Sequence, residues 1–127
     1  MPDPFGDLTF VDGTNLLPFS IERAYFITQI PGDAKRGGHC HKKTNELLIA
    51  ISGAFTVHLE SPLGERREFR LNNSRIGLVV PALHWRDIDQ YEPNSICLVL
   101  ASEHYAETDY IRDYQLFRQQ NSSREKK

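Results

Sequence analysis

Arg36-Gly37-Gly38-His39-Cys40-His41-Lys42, with Glu46 just beyond it and the apolar run Leu47-Leu48-Ile49-Ala50-Ile51 leading to Ser52-Gly53, decides how this chain is read. Residues i and i+2 of an extended strand share a face. His39 and His41 therefore project side by side, with Cα atoms roughly 6.5–7 Å apart. Such a pair can handle protons or supply two ligands to a metal. Cys40 between them points to the opposite face, where a small buried residue is a simpler reading than a nucleophile. The apolar run after Glu46 is a second, buried strand, stopped by Ser52-Gly53.

The same pattern continues on both sides. Residues 20–28 are rich in aromatic and β-branched types and end at the turn Pro31-Gly32-Asp33. Phe55, Val57 and Leu59 alternate with Thr56, His58 and Glu60, which predicts a strand with one buried face. Pro62-Leu63-Gly64 turns the chain, and Phe69 and Leu71 continue the alternation. Residues 76–80 and 96–101 are further apolar strands. Many short strands separated by Gly, Pro and Asn predict an all-β sandwich or barrel. The C-terminus departs from this. Tyr110, Tyr114 and Phe117 fall at i, i+4 and i+7, with Ile111 beside them, which predicts a short helix capped by Thr108 or Asp109. Residues 119–127 are polar and read as a frayed end.

With 127 residues the chain reads as one domain with a single core. A net charge of -2 gives no reason to expect a nucleic-acid partner. No apolar run reaches membrane-span length, and the start, Met1-Pro2-Asp3-Pro4, lacks the basic, then apolar pattern of a signal peptide. Two cysteines, Cys40 and Cys97, make no disulfide framework. The expectation is a cytoplasmic protein with free thiols.

Each candidate has a plainer reading. His39 and His41 can be hydrogen-bonded strand residues, but two of them flanked by glycines and cations favour a site. Glu46, just before the buried apolar run, is either a ligand or a residue that caps a strand or pairs with a lysine. His84, beside Trp85, is a packed neighbour or a further ligand. His58 alternates onto the wet face and His104 lies in a polar turn, so both read as bystanders.

The spacing His39-x-His41-x4-Glu46-x6-Gly53 resembles the first motif of the cupin superfamily, which implies a small β-barrel or jelly roll with its site in the mouth. In many cupins two His, a Glu and a further His hold a metal, which here would be His39, His41, Glu46 and His84. The second motif, Gly77-x3-Pro81-x2-His84, departs from the usual spacing. A narrower resemblance spans nearly the whole chain. Arg23-Ala24-Tyr25-Phe26-Ile27, the Arg36 to Lys42 stretch, Trp85-Arg86-Asp87, Leu98-Val99-Leu100-Ala101-Ser102 and Asp109-Tyr110-Ile111-Arg112-Asp113-Tyr114 are similar to the sugar-nucleotide 3,4-ketoisomerases. That family often has Gln at the place of Glu46, Ala at that of Cys40 and an aromatic residue at that of Thr28.

The resemblance implies conversion of dTDP-4-keto-6-deoxy-D-glucose to a dTDP-3-keto-6-deoxy sugar, whose product a transaminase uses for surface polysaccharides. It implies no cofactor, and a homodimer that exchanges N-terminal strands, for which Leu8-Thr9-Phe10-Val11 is suited. The chemistry is a tautomerisation through an enediol, which needs a base at C3 and a proton donor at C4. An imidazole works in both directions near neutral pH. His39 is the expected base, His41 its orienting or relaying partner, and Tyr25 a donor to the enolate oxygen. Arg36, Arg86, Arg23 and Lys42 are expected at the diphosphate, and Trp85 lines the pocket or fills the core. Arg86 and, by approximate alignment, Phe5 resemble the gluco-forming branch. Arg112 is expected to pair with Asp109. Two readings compete: a metal-dependent cupin enzyme and a non-catalytic sugar-binding cupin.

Overall fold

The computed structural model describes residue 9 and residues 17–125, with side chains as far as residue 120. Phe5 and the stretch expected to exchange between subunits, apart from Thr9, lie outside the described residues. The strands are β1 (Arg23–Ile27), β2 (Arg36–His41), β3 (Glu46–Ser52), β4 (Phe55–Glu60), β5 (Arg66–Leu71), β6 (Gly77–Val80), β7 (Trp85–Asp89), β8 (Ile96–Ala101) and β9 (Tyr110–Ile111), followed by the helix α1 (Tyr114–Glu125).

Two antiparallel sheets face each other, one in the order β1-β8-β3-β6 and the other β5-β4-β7-β2-β9. This is the expected cupin jelly roll with a short C-terminal helix. Alternation in each strand builds the core. Leu48 and Ala50 of β3, Phe55 and Val57 of β4, Ile88 of β7 and Val99 of β8 turn inward and pack together.

The other face of the four-stranded sheet is apolar too. Leu47, Ile49 and Leu100 are buried there under Leu17 and Phe19. On the outer face of the five-stranded sheet, Phe117 and Tyr114 of α1 pack against Cys40, Trp85 and Ile111. Cys40 thus faces away from the histidines, as strand alternation requires.

Two local expectations need correction. The helix begins at Tyr114, not at Thr108 or Asp109; Tyr110 and Ile111 instead pair with His41 and Cys40 as β9. The side chain of Asp113 caps α1, accepting from the amide of Gln115 at 2.9 Å. Arg112 pairs with Glu107 at 2.8 Å and not with Asp109. The strand β7 has only one apolar inward residue, Ile88, so alternation does not reveal it.

Candidate active site

The site lies between the sheets at one end of the barrel. The strands β2 and β7 supply His39, His41 and Arg86 from one wall, and β1 and β3 supply Tyr25, Arg23 and Glu46 from the other. The positioning of His39 depends on a β-bulge between Gly37 and His39. Gly37 and Gly38 both have positive φ, +94° and +62°. A Cβ on Gly37 would meet the Arg86 carbonyl oxygen at 2.9 Å. Two glycines are needed here because the bulge presses the backbone onto β7.

The bulge turns His39 so that its Nδ1 lies 3.2 Å from the Gly37 carbonyl. A carbonyl only accepts, so Nδ1 carries the hydrogen and Nε2 bears a lone pair. That Nε2 is buried and has no hydrogen-bond partner among the described residues. Burial, then the charges of Arg86 and His41, lowers the His39 pKa to about 4. His39 is therefore a neutral imidazole at pH 7 with its basic nitrogen free.

Glu46 is fully buried and shared by the surrounding donors. Arg86 pairs with its Oε1. Tyr25 donates its hydroxyl to Oε2 at 3.0 Å. Arg23 Nη2 lies 3.7 Å from the same oxygen, reaching past Ala101, the small residue between them in the register. His41 Nε2 is 3.6 Å from Oε2. Burial alone would raise the Glu46 pKa. The nearby His41 ring and the charge of Arg86 outweigh it and hold the group at about 2. Tyr25 is pushed well above the ordinary phenol range, first by burial and then by the Glu46 charge.

His41 is fully buried. Its ring meets that of His39 edge-on with centroids 4.8 Å apart, and that of Tyr110 at 4.5 Å. Its Nδ1 lies 2.9 Å from Asp109 Oδ2.

A cavity of about 240 Å³ opens onto this array. Tyr25, His39, Arg86 and Tyr110 line it, with Arg36 and Arg112 contributing cationic side chains. Arg86 keeps Nε and Nη2 without hydrogen-bond partners among the described residues. The arrangement presents a base, a phenol and a guanidinium to one small volume. It suits removal of a proton beside a carbonyl and stabilisation of the oxyanion that follows.

Three expected site residues lie elsewhere. Lys42 is exposed and lines a separate groove with Glu103, His104 and Thr108. Trp85 faces outward from β7, donates Nε1–H to Asp87 at 3.2 Å and packs on Tyr114 and Phe117. His84 bonds the Ala82 carbonyl at 3.1 Å and lines a third groove. A larger cavity, about 690 Å³, lies on the outer sheet face beside Trp85 and Tyr114. Its polar groups pair with one another, Glu60 with Tyr114 and Arg66, and His58 with Glu68 and Asp89. His58 is thus held between two carboxylates rather than left to solvent.

His39, His41 and Glu46 place one donor atom each within 4.8 Å of one another. The set nevertheless does not fit the cupin metal. Both Glu46 oxygens are committed, to Arg86 and to Tyr25, and the Arg86 guanidinium would face a divalent cation as a like charge. His84, the expected fourth ligand, is in a different groove.

A family model described as FdtA, WxcM-like, C-terminal matches residues 1–122. The chain belongs to that family. A TDP-4-oxo-6-deoxy-alpha-D-glucose-3,4-oxoisomerase of Aneurinibacillus thermoaerophilus is 34% identical over 116 residues, covering 91% of this chain and 83% of its own. The crystal structure of QdtA, a sugar 3,4-ketoisomerase of Thermoanaerobacterium thermosaccharolyticum in complex with TDP, is 38% identical, with a TM-score of 0.91 over 98% of this chain and 90% of its own. The Campylobacter jejuni WlaRB TDP-quinovose 3,4-ketoisomerase is 31% identical, with a TM-score of 0.87 over 94% of this chain and 91% of its own. FdtA-family membership bears out the resemblance to 3,4-ketoisomerases, and this member is an isomerase.

Sequence reasoning missed Asp109 as part of the site and missed the linking of Arg86 to Glu46. Tyr110 was read as helix packing, yet it borders both histidines. The only signal for Asp109 was its place in the Asp109-Tyr110-Ile111-Arg112-Asp113-Tyr114 motif.

Proposed function

We infer that this chain converts TDP-4-keto-6-deoxyglucose to a TDP-3-keto-6-deoxyhexose. The observation that carries the reading is the bare Nε2 of His39, buried at the wall of a cavity that also holds Arg86 and Tyr25. His39 Nε2 takes the proton from C3, and the electron pair moves through the C3–C4 bond onto the C4 oxygen. The free Nε–H and Nη2–H of Arg86 are suited to that oxygen. Reprotonation at C4, with transfer of a proton from the C3 hydroxyl to the C4 oxygen, completes the exchange with no net gain or loss. The balance needs no redox partner.

Arg36 and Arg112 at the cavity wall are suited to the diphosphate, in place of Lys42. The product is the gluco epimer on this reading, a choice that rests on Arg86. We also propose a homodimer, with N-terminal strands exchanged. Supporting it is the apolar outer face of the four-stranded sheet, on which Phe26 stays 68% exposed. Cytoplasmic residence goes with the reading and is supported by the two buried free thiols, Cys40 and Cys97.

The test is proton NMR of TDP-4-keto-6-deoxyglucose with the protein in D2O and a chelator. Loss of the C3 proton signal and growth of a 3-keto sugar are expected, and the C4 coupling then reports the epimer. Absence of exchange, with or without added divalent metal, overturns the assignment.

A further inference from the structure

Asp109 closes a 3-10 turn (Glu107–Asp109) immediately before β9. Its carboxylate is bonded on three sides by one short segment of chain. Oδ1 accepts from the amide of Lys43 at 2.7 Å. Oδ2 accepts from the Thr44 hydroxyl and from His41 Nδ1 at 2.9 Å. The backbone is fixed as well, because the Lys42 amide donates to the Asp109 carbonyl at 2.8 Å. The side chain is 10% exposed. Burial would raise its pKa, but the Thr44 hydroxyl, the Lys43 amide and His41 hold it below the usual carboxylate range.

A carboxylate only accepts, so His41 must carry a hydrogen on Nδ1. Nε2 then faces Glu46 Oε2 at 3.6 Å, and Glu46 is the carboxylate that Tyr25 and Arg86 share. The groups line up from Asp109 through His41, across the 3.6 Å approach to Glu46, to the phenol at the cavity wall.

We propose that Asp109 is a positioning residue for the isomerisation: it holds a hydrogen on His41 Nδ1 and fixes the ring with Nε2 turned toward the Glu46 carboxylate. The catalytic half of this rests on the ketoisomerase reading. Asp109 does not touch the substrate. It acts through His41, whose ring in turn packs edge-on against the base His39. A structural clasp tying the turn to the segment after β2 would need only the Thr44 and Lys43 bonds. The bond to His41 is what a clasp does not require.

The experiment combines two readouts. In wild-type protein with 15N-labelled histidine, the His41 ring is expected to show a protonated Nδ1 and a strongly downfield Nδ1–H resonance. In Asp109→Asn that resonance is lost or the tautomer inverts. With TDP-4-keto-6-deoxyglucose, Asp109→Asn lowers kcat by at least about tenfold while KM stays within about threefold, as expected of a group acting through an imidazole. Thr44→Val, which loosens the clasp but leaves the carboxylate facing His41, keeps kcat within about threefold.

The proposal is overturned if wild-type His41 carries no hydrogen on Nδ1. It is also overturned if Asp109→Asn retains full kcat, or if Thr44→Val loses as much kcat as Asp109→Asn. Should Asp109→Asn fail to fold, the wild-type Nδ1 hydrogen and Thr44→Val decide. Wild-type protein that shows that hydrogen but turns over no substrate removes the ketoisomerase reading, and the catalytic half falls with it.

Discussion

A histidine whose Nδ1–H is tied to a carbonyl and whose Nε2 has no partner is a base held ready. Replacing it by an amide keeps the hydrogen bond and removes the base. His39→Asn is therefore expected to slow C3 hydrogen–deuterium exchange by about 10²–10⁴-fold. TDP binding, measured by calorimetry, should stay within a few-fold. Undiminished exchange in that variant would remove His39 from the role. The pH dependence follows from the same burial. The His39 pKa falls from 6.5 to about 4, so the lone pair survives well into acid. The acid limb of kcat/KM is expected near 4 rather than near 6.5. Stability moves the same way. His39 is depressed in the fold, so its contribution is complete above 6.5 and is lost as pH falls through about 4. Glu46, held at about 2 against 4.5, contributes fully above 4.5 and loses its share as pH falls further, toward about 2. Thermal melting should therefore fall steadily below pH 6.5, and His39→Asn should flatten the portion between 6.5 and 4. Arg86→Met probes the carboxylate from the other side. It leaves Glu46 buried beside Tyr25 and His41 without its guanidinium, which is expected to cost about 3–5 kcal/mol in chemical denaturation. An unchanged midpoint would mean that solvent reaches Glu46.

The strand β2 is the element on which the site depends. Its bulge exists because Gly37 and Gly38 adopt positive φ against the β7 backbone. Gly37→Ala forces a Cβ to 2.9 Å from the Arg86 carbonyl oxygen at a φ of +94°. The expected result is about 1–3 kcal/mol of lost stability, with a larger proportional loss of turnover because β2 and Arg86 shift together. Full activity in Gly37→Ala would show that the bulge does not position His39. This element was legible in the sequence, and its predicted limits, residues 36–41, are those observed. Alternation made β4 equally readable, and an unbroken apolar run did the same for β8. The strand β7 was not, because Trp85, Arg86, Asp87 and Asp89 surround a single inward apolar residue, and Arg86 is stabilised inside only by Glu46 from the opposite sheet. No local pattern contains that pairing. Asp109 was hidden for a similar reason. The i, i+4, i+7 aromatic stripe is genuine for Tyr114 and Phe117, but Tyr110 belongs to a strand that only pairing with β2 can reveal. Trp85 is an aromatic residue next to a site arginine, yet strand alternation sends it to the opposite face from Arg86.

At the scale of the molecule, the four-stranded sheet presents apolar residues on both faces. Its outward rows read Ala24, Leu100, Leu47, Val79 and Phe26, Leu98, Ile49, Gly77 across β1, β8, β3 and β6. An antiparallel sheet that met water on this side would carry polar residues there. Leu17 and Phe19 cover part of it, while Phe26 remains 68% exposed at the β1 edge. Phe26 points away from the cavity, since Tyr25 and Ile27 of the same strand line it. A charge at this position therefore tests assembly without entering the site. Wild-type protein is expected to scatter light as twice its 14.6 kDa chain mass. Phe26→Glu is expected to shift the population to the single-chain mass, because burying an unpaired carboxylate at an apolar interface costs more than the contact returns. A wild-type monomer removes the dimer proposal altogether. A Phe26→Glu dimer moves the interface off this face, toward the groove of Trp85 and Tyr114 on the opposite sheet. His39, Glu46 and Arg86 all come from one chain, so proton exchange at C3 is expected to persist in the Phe26→Glu monomer.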